Sequence, residues 1–188
     1  MPAEVLPTRF DGALLLAPQV HGDERGFFCE TFRADQLDEL GVTEAFVQDS
    51  HSRSRRGTVR GLHFQIGRGA SKLVRCGRGT IVDVIVDLRR GSPRYGEWEA
   101  FELSEENMHV LYVPIGFAHG FAVTSDVADV LYKQSNPYSA EVERGITIDD
   151  PVIGVQWPDM GIERVVSERD LSAPTLAQVA DDLPFAMP

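Results

Sequence analysis

The sequence is poor in positive charge, in cysteine and in helical patterns, and each shortage excludes a class of protein. Its formal net charge is -11 over 188 residues, whereas a surface that binds nucleic acid needs an excess of Lys and Arg. No apolar run approaches the roughly 20 residues that cross a bilayer. We therefore expect neither nucleic acid nor a membrane as a partner. A small anionic ligand, which needs only a few well-placed arginines or lysines, remains compatible with this charge.

Cysteine is equally scarce. Cys29 and Cys76 are the two that are present, and without CxxC spacing they give no zinc signal. As reduced packing residues they fit a protein of the cytoplasm. The segment Met1–Val5 also lacks the basic start and the apolar stretch of a secretion signal. The expected location is therefore cytoplasmic.

Short strands, separated by turn residues, are the main pattern that is present. In Thr80–Leu88 the even-numbered positions from 82 onward are apolar and predict a core face. The other face mixes isoleucine with Asp83 and Asp87, which fits the wall of a cavity or a second layer. Seven further segments have strand patterns: Ala13–Leu16, Gly26–Phe32, Leu73–Cys76, Ala100–Leu103, Val110–Val113, Gly120–Thr124 and Ala128–Gln134.

Helical patterns are confined to two short segments, Ala34–Leu40 before Gly41 and Thr175–Asp182 after Pro174. Many short strands with so little helix predict an all-β sandwich or barrel, of which the jelly roll is one solution at this size. Hydrophobic residues make up 43% of the chain, which is enough for a buried core. Because no repeat or linker divides it, we expect residues 1–188 to form a single domain.

Two histidines lie in apolar segments that glycines interrupt, His63 in Arg60–Gln65 and His119 in Pro114–Phe121. An unperturbed histidine has a pKa of about 6.5 and exchanges protons near neutral pH. If the fold brings both into one cavity, they indicate an enzyme or a metal protein. Two buried histidines that only satisfy core hydrogen bonds are the plainer alternative.

A metal site is one interpretation of these histidines, but the ligand pattern disfavours it. Metal sites of small β-barrels often use His-x-His, and Gln65 stands where the second histidine would be. His109 is the remaining candidate for a third ligand. Acid–base catalysis without a metal is therefore the favoured hypothesis.

Four arginines within residues 53–60 concentrate positive charge in an acidic chain. The first three, up to position 56, fit a solvated loop. Arg60 and His63 would point to opposite faces of a regular strand, so they share a cavity only if a turn or bulge intervenes, which Gly61 would permit. Arginine binds phosphate oxygens through a planar fork, and Arg60 and Arg25 are the candidates for that role.

The polar motifs follow one another in a distinctive order. They are Asp23-x-Arg25-Gly26-x-Phe28-x-Glu30, Gln48-Asp49-x-His51-Ser52, Gly57-x-x-Arg60-Gly61-Leu62-His63-Phe64-Gln65, Lys72-Leu73-Val74-Arg75, Gly79-x-Ile81-x-Asp83-Val84, Val86-Asp87-Leu88-Arg89, Pro114-x-Gly116-Phe117-Ala118-His119-Gly120-Phe121, Tyr132-Lys133, Asp149-Asp150-Pro151, Trp157-Pro158 and Ser167-x-x-Asp170. In number and order they resemble the motifs of the dTDP-4-dehydrorhamnose 3,5-epimerase family over nearly the whole chain. The resemblance implies a cupin-type double-stranded β-helix (a jelly roll) with a few short helices. It also implies a homodimer without metal or other cofactor, and a dTDP-linked 4-keto-6-deoxy sugar as substrate.

The resemblance also implies a role for each site residue. His63 would be the general base with Asp170 as its partner, Tyr132 the acid on the opposite face of the sugar, and Lys72 the neighbour of the keto oxygen. The residue types suit this chemistry, because a C–H beside a ketone needs a base, a cation for the enolate oxygen and an acid. The substrate-binding residues by the same resemblance are Arg25, Phe28, Glu30, Gln48, Ser50, Arg60, His119 and Tyr138.

One departure from the family pattern concerns substrate contact. The family commonly has Asn where this chain has Ser50, and the shorter side chain would reach less far towards the sugar. The expected activity is epimerisation at C3 and at C5. A C3-only epimerase of an antibiotic deoxysugar pathway, a dTDP-sugar 3,4-ketoisomerase and a non-catalytic sugar-nucleotide binding protein remain the alternatives.

Overall fold

The computed structural model describes residues 3–187, and most of their regular structure is strand. The strands are β1 Glu4–Leu6, β2 Leu14–Ala17, β3 Val20–Asp23, β4 Gly26–Cys29, β5 Gln48–Arg55, β6 Val59–Gln65, β7 Lys72–Arg78, β8 Thr80–Asp87, β9 Trp98–Ser104, β10 Val110–Val113, β11 Phe117–Val123, β12 Val127–Gln134 and β13 Glu143–Gly145. The helices are α1 Ala34–Glu39, α2 Glu168–Leu171 and α3 Leu176–Val179, and a 3-10 turn follows at Ala180–Asp182. Within residues 3–187, no helix has the length and apolar character needed to span a membrane.

Two antiparallel sheets form the body of the fold. The first has the strand order β1-β2-β10-β7-β12-β5 and the second the order β13-β6-β11-β8-β9, while β3 and β4 pair only with each other. Apart from the pairs β1–β2 and β8–β9, neighbouring strands in these two sheets are not consecutive in the chain, as in a jelly roll. The all-β prediction with few short helices is confirmed.

The strand β8 shows how the two sheets and the C-terminal segment share the core. Ile81 and Ile85 point between the sheets and pack in the same cluster as Val74 and Val130 of the first sheet. Val84, on the other face, packs under the C-terminal segment that covers the second sheet. Both faces of β8 are therefore buried, and Asp83 and Asp87 lie on the inner one with no exposed surface.

Strand patterns missed β5 and β6. The prediction that the first three arginines of residues 53–60 lie in a solvated loop is wrong for Arg53 and Arg55, which lie on β5, although both side chains are exposed as expected. The inward positions of this strand are polar, with Ser52 and Ser54 among them. Because they line a polar interior, the strand has no apolar alternation by which to recognise it.

Candidate active site

The pairing of β6 with β11 places the two glycine-flanked histidines side by side. His119 is the register partner of His63, and directly opposite residues of an antiparallel pair point to the same face. That face looks into the space between the sheets. The hypothesis that one cavity receives both histidines is therefore confirmed.

A bulge in the same strand pair turns Arg60 towards this cavity. The register passes from His63 opposite His119 to Arg60 opposite Phe121, so β6 has one residue more than β11 over this stretch. Gly61, at φ +140°, permits it, since a Cβ at this position would lie 2.6 Å from Cα of Gly120. The predicted condition for Arg60 to share the cavity of His63 is met.

The cavity has a volume of about 580 Å³, within the range of sites for small molecules and cofactors. Eight of the twelve predicted site residues line it: His63, Lys72, Tyr132, Asp170, Gln48, Arg60, His119 and Tyr138. Its other walls come from Ser52, Thr58, Val59, Gly120, Phe121, Gln134, Glu143, Val165, Val166, Ser167 and Arg169. Three cations, Arg60, Lys72 and Arg169, line the cavity together with two carboxylates, and arginine and lysine side chains can bind phosphate oxygens.

His63 is held by a carboxylate from the C-terminal part of the chain. Its Nε2 lies 2.7 Å from Oδ1 of Asp170, the third residue of the short helix α2, whose N-cap Ser167 accepts a hydrogen bond from the Asp170 backbone. Burial alone would raise the pKa of Asp170, but the hydrogen bond and the charge of His63 hold it below its usual value. An ionised carboxylate accepts hydrogen bonds, so the proton of His63 lies on Nε2 and Nδ1 is left as the basic nitrogen.

His119 is held in the same way by a different carboxylate. Its Nε2 lies 2.9 Å from Oδ2 of Asp83 on β8, and its Nδ1 lies 3.5 Å from Nζ of Lys72 on the opposite sheet. Burial lowers the pKa of His119, and although Asp83 opposes this effect, the positive charge of Lys72 adds to it. A neutral His119 between a carboxylate and an ammonium group is the result.

Lys72 is the cation that contacts the His119–Asp83 pair. Burial lowers its pKa to about 8, although the charges of Glu143 and Asp83 favour the ammonium form. The group is therefore charged at neutral pH and loses its charge at mildly alkaline pH. A desolvated ammonium of this kind stabilises a developing oxyanion more strongly than an exposed one.

Glu143 and Arg169 are functional candidates that the motifs did not reveal. Oε1 of Glu143 lies 3.9 Å from Nδ1 of His63 and 3.6 Å from the Arg169 guanidinium. Glu143 belongs to the short strand β13 beside β6, and no periodicity marks it in the sequence. The polar stretch that contains Asp170 was the one available signal for Arg169.

The rim of the cavity has a chain of hydrogen bonds through Gln48. The Gln48 amide nitrogen donates to Ser50 Oγ at 3.0 Å, and its Oε1 accepts from the backbone N–H of Tyr138 at 2.7 Å. Ser50 itself does not line the cavity, so it acts on the site through Gln48. Arg60 donates from Nε to Ser54 at 3.1 Å, and its terminal nitrogens have no hydrogen-bond partner within residues 3–187.

Three predicted binding residues lie away from this cavity. Arg25 and Phe28 lie on the β3–β4 hairpin, where the Arg25 side chain is 85% exposed beside Asp23 and Phe28 is 65% exposed. Glu30 follows the hairpin and is also exposed. The fold of one chain does not bring them to His63.

A metal centre has little support from the residues present. Among residues 3–187 there is no group of three or more His, Cys, Asp and Glu side chains with the spacing to bind a metal ion. His109 precedes β10 and does not line the cavity that contains His63 and His119.

Comparison with known proteins agrees with this geometry. A family model described as dTDP-4-dehydrorhamnose 3,5-epimerase matches residues 7–178. The dTDP-4-dehydrorhamnose 3,5-epimerase of Methanothermobacter thermautotrophicus is 48% identical over 166 residues, which cover 88% of this chain and 90% of that protein. The crystal structure of dTDP-6-deoxy-D-glucose-3,5-epimerase from Legionella pneumophila in complex with dTDP-4-keto-L-rhamnose is similar, with a TM-score of 0.95 and 41% identity. That similarity covers 98% of this chain and 99% of the other.

A relative with a narrower activity is also similar in structure. The 3'-monoepimerase ChmJ from Streptomyces bikiniensis, in complex with dTDP-quinovose, has a TM-score of 0.87 and 34% identity. The similarity covers 93% of this chain and 89% of that one. The family match and the identity to these relatives over most of the chain show that this cupin-type jelly roll belongs to the dTDP-4-dehydrorhamnose 3,5-epimerase family.

Proposed function

We propose that this chain epimerises dTDP-4-dehydro-6-deoxy-D-glucose at C3 and C5 to dTDP-4-dehydro-L-rhamnose. The protons at both carbons are acidic because the C4 ketone stabilises the carbanion as an enolate. The observation that carries the proposal is the arrangement of His63, Asp170, Lys72 and Tyr132 around one cavity. Their residue types supply a base, an orienting carboxylate, a cation and an acid.

His63 removes the proton. Its Nε2–H is tied to Asp170, so Nδ1 is the nitrogen that accepts the substrate proton, and the carboxylate stabilises the imidazolium that forms. Lys72 stabilises the negative charge that develops on the C4 oxygen. No step in this scheme needs a cofactor.

Tyr132 returns a proton from the other side of the sugar. It lies on β12 of the first sheet, whereas His63 lies on β6 of the second, so the two side chains enter the cavity from opposing walls. Inversion requires this separation, because a proton that returned from His63 would restore the original configuration. We therefore expect Tyr132→Phe to exchange the substrate proton with solvent but to form little epimer.

Solvent deuterium exchange tests the reaction. Incubation of the protein with substrate in heavy water should place deuterium at C3 and C5, detected by mass spectrometry and NMR. A protein that binds the nucleotide sugar but exchanges neither position would be a binding protein and would refute the proposal. A product with its carbonyl moved to C3 would instead identify a ketoisomerase.

A C3-only epimerase is the second candidate. It is favoured by the similarity to the 3'-monoepimerase from Streptomyces bikiniensis and by Ser50, which differs from the usual Asn. Deuterium at C3 without deuterium at C5 over many turnovers would establish it. The higher identity to relatives named 3,5-epimerases favours inversion at both carbons.

We further propose that the active form is a homodimer and that the β3–β4 hairpin contributes to the partner's site. The hairpin exposes Phe27 and Phe28 at 64% and 65%, which is unusual for large apolar side chains on an isolated two-stranded element. A second copy would explain why Arg25, Phe28 and Glu30, which the family resemblance assigns to the substrate, lie away from the cavity of their own chain.

Complementation between two inactive variants tests this arrangement. A mixture of His63→Ala and Arg25→Ala, unfolded and refolded together, should regain about one quarter of the wild-type sites if each site uses His63 of one chain and Arg25 of the other. Sedimentation should show a dimer at micromolar concentration. A monomer, or a mixture no more active than its components, would exclude the shared site.

Two broader expectations belong with this proposal. Residues 1–188 form one domain, which is supported by the packing of the C-terminal Leu183 and Phe185 against the second sheet, although 1–2 and 188 lie outside the described residues. The protein acts in the cytoplasm, where Cys29 and Cys76 would stay as the free thiols observed.

A further inference from the structure

Asp83 is a buried carboxylate with an unusual shortage of partners. It has no exposed surface, and its single side-chain hydrogen bond among residues 3–187 is the one from His119, while its Oδ1 meets no donor there. Burying a carboxylate with so little compensation costs stability. Asp83 therefore does not stabilise the fold in an obvious way, and its position on the inner face of β8 indicates another role.

Asp87, two inward positions further along the same strand, shows what a structural carboxylate looks like. Asp87 is equally buried, yet it accepts hydrogen bonds from the guanidinium and backbone N–H of Arg89 and from the hydroxyl of Ser92. Its partners saturate both oxygens. The contrast separates a carboxylate that stabilises a turn from one that acts on a histidine.

The hydrogen bond to Asp83 determines whether Nδ1 of His119 faces Lys72 as an acceptor or as a donor. Because Asp83 accepts from Nε2, the neutral ring carries its proton there, and Nδ1 presents a lone pair. Nζ of Lys72, 3.5 Å away, can donate to that lone pair, and such contacts commonly shorten when substrate binds. In the other tautomer an N–H would face the ammonium group and repel it.

We propose that Asp83 is a positioning residue, which fixes His119 in the tautomer that accepts a hydrogen bond from Lys72 and so aims the ammonium group into the cavity. The inference rests on the proposed function only in the statement that Lys72 faces the substrate's keto oxygen. The chain Asp83–His119–Lys72 crosses from β8 through β11 to β7 and thus links the two sheets at the site.

Asp83 also contributes its charge to the environment of Lys72. Together with Glu143 it favours the ammonium form, against the burial that lowers the pKa of Lys72 to about 8. The other titratable or charged side chains that face this cavity are Arg60, His63, His119, Tyr132, Tyr138, Arg169 and Asp170. Removing the charge of Asp83 should therefore make Lys72 lose its proton at lower pH.

The tautomer can be observed in the unmodified protein. With ¹⁵N-labelled histidine, the His119 resonances, assigned by their loss in His119→Gln, should show a neutral ring protonated on Nε2 at pH 7. A ring protonated on Nδ1, or an imidazolium, would overturn the proposal. This measurement needs no substrate and no activity.

Asp83→Asn tests the consequence for Lys72. The sequence has only two lysines, Lys72 and Lys133, so their side-chain NMR titrations are separable and Lys133 is an internal reference. We expect the Lys72 midpoint to fall by on the order of one pH unit. The kcat should fall about 10- to 100-fold with little change in KM, in the range seen for groups that orient functional histidines.

Asp87→Asn is the matched control, because it neutralises a carboxylate of equal burial on the same face of the same strand. It should lower thermal stability but leave the Lys72 titration and the alkaline limb of the rate profile unchanged. If Asp83→Asn behaves like Asp87→Asn, its role is structural and the inference fails.

The outcomes also separate this inference from the proposed function. A wild-type protein that catalyses no deuterium exchange would reject the epimerase, whereas the tautomer and the Lys72 titration would still report on Asp83. A wild-type protein that exchanges normally, with a Lys72 midpoint that Asp83→Asn does not move, would reject the positioning role alone.

Discussion

The site contains two histidine–aspartate pairs that are joined in the same way but lie in different surroundings. In both, Nε2 meets a buried carboxylate, at 2.7 Å for His63–Asp170 and at 2.9 Å for His119–Asp83. The His63 side chain is 24% exposed to the cavity, whereas the His119 side chain is 8% exposed. Nδ1 of His119 faces the ammonium group of Lys72 at 3.5 Å, whereas the charged atom nearest to Nδ1 of His63 is Oε1 of Glu143, at 3.9 Å.

This difference shows that a carboxylate partner does not by itself make a histidine a base. The carboxylate fixes the tautomer, and the group opposite the second nitrogen decides the role. A nitrogen that lies near a carboxylate, as Nδ1 of His63 lies near Glu143, can take a proton from a ligand, whereas one that faces an ammonium group is already occupied. We therefore assign proton abstraction to His63 and the support of Lys72 to His119.

The largest effect should come from replacing the basic nitrogen alone. In His63→Gln the side-chain amide can still donate to Asp170, but no base remains, so we expect kcat to fall about 10²- to 10⁴-fold. The equivalent His119→Gln keeps the donor to Asp83 and should lose less, about 10- to 100-fold. Deuterium exchange at C3 measures both. Equal losses would remove the proposed difference between the pairs.

The second-largest effect should come from removing the ammonium group of Lys72. Lys72→Met keeps the chain length but deletes the ammonium group, and the loss of one group that stabilises an oxyanion costs about 10²- to 10³-fold in kcat. In the wild type, the pKa of about 8 means that Lys72 is charged below this pH and neutral above it, so the rate should decline at alkaline pH. The residual activity of the variant should lack that decline.

Lys133→Met is the control for this change. Lys133 follows Tyr132 on β12 and points the other way, to the outside of the sheet, where it binds Asp49 at 2.8 Å. An exposed ion pair of this kind is worth little, so we expect a rate within about twofold of the wild type. If both lysine variants lost activity equally, the decline could not be assigned to the oxyanion.

A third experiment compares the two carboxylates through the pH profile. Asp170→Asn removes the anion that stabilises the His63 imidazolium, so the rate should fall while the alkaline limb of the profile, which follows Lys72, stays in place. Asp83→Asn should move the alkaline limb instead. We expect kcat to fall about 10- to 100-fold in Asp170→Asn. Movement of the same limb in both variants would mean that the pairs are not functionally distinct.

The strands that could be predicted from the sequence are those with at least one apolar face. Thr80–Asp87 and Val110–Val113 alternate or are wholly apolar, and their predicted bounds agree with the structure to within one residue. The strand β5 was missed because its inward residues, Gln48 and three serines, are all polar. A strand whose inward residues are polar therefore lacks the apolar alternation by which strands are recognised in a sequence.

Site residues could be predicted from the sequence only where they belong to a motif of the family. His63 and Asp170 lie 107 residues apart, and no periodicity links them, so family resemblance alone paired them. Glu143 had no motif and was missed. Arg25 and Phe28 lie on an exposed hairpin, away from the cavity of their own chain. The order of motifs in the sequence could not show this, because it does not give distances between residues in the fold.

The smallest effect should come from a residue that touches neither histidine pair. Ser50 accepts the hydrogen bond from the Gln48 amide, and Gln48 in turn holds the backbone of Tyr138 at the rim. In Ser50→Ala the Gln48 amide loses this acceptor, a change worth about 1 kcal/mol, which is roughly fivefold in affinity. We expect KM to rise by about this factor while kcat stays within twofold.

Ser50→Ala also tests whether the chemical step depends only on the two histidine–aspartate pairs. Gln48 and Tyr138 line the rim of the cavity, whereas His63 and Lys72 lie where the two sheets face each other. Weaker substrate binding at the rim should therefore leave the ratio of deuterium at C5 to deuterium at C3 unchanged. Ser50→Asn, which restores the usual family residue, should lower KM instead. If Ser50→Asn changed the ratio of C5 to C3 exchange, position 50 would control which carbon meets the base, and the division of roles would extend beyond His63 and His119.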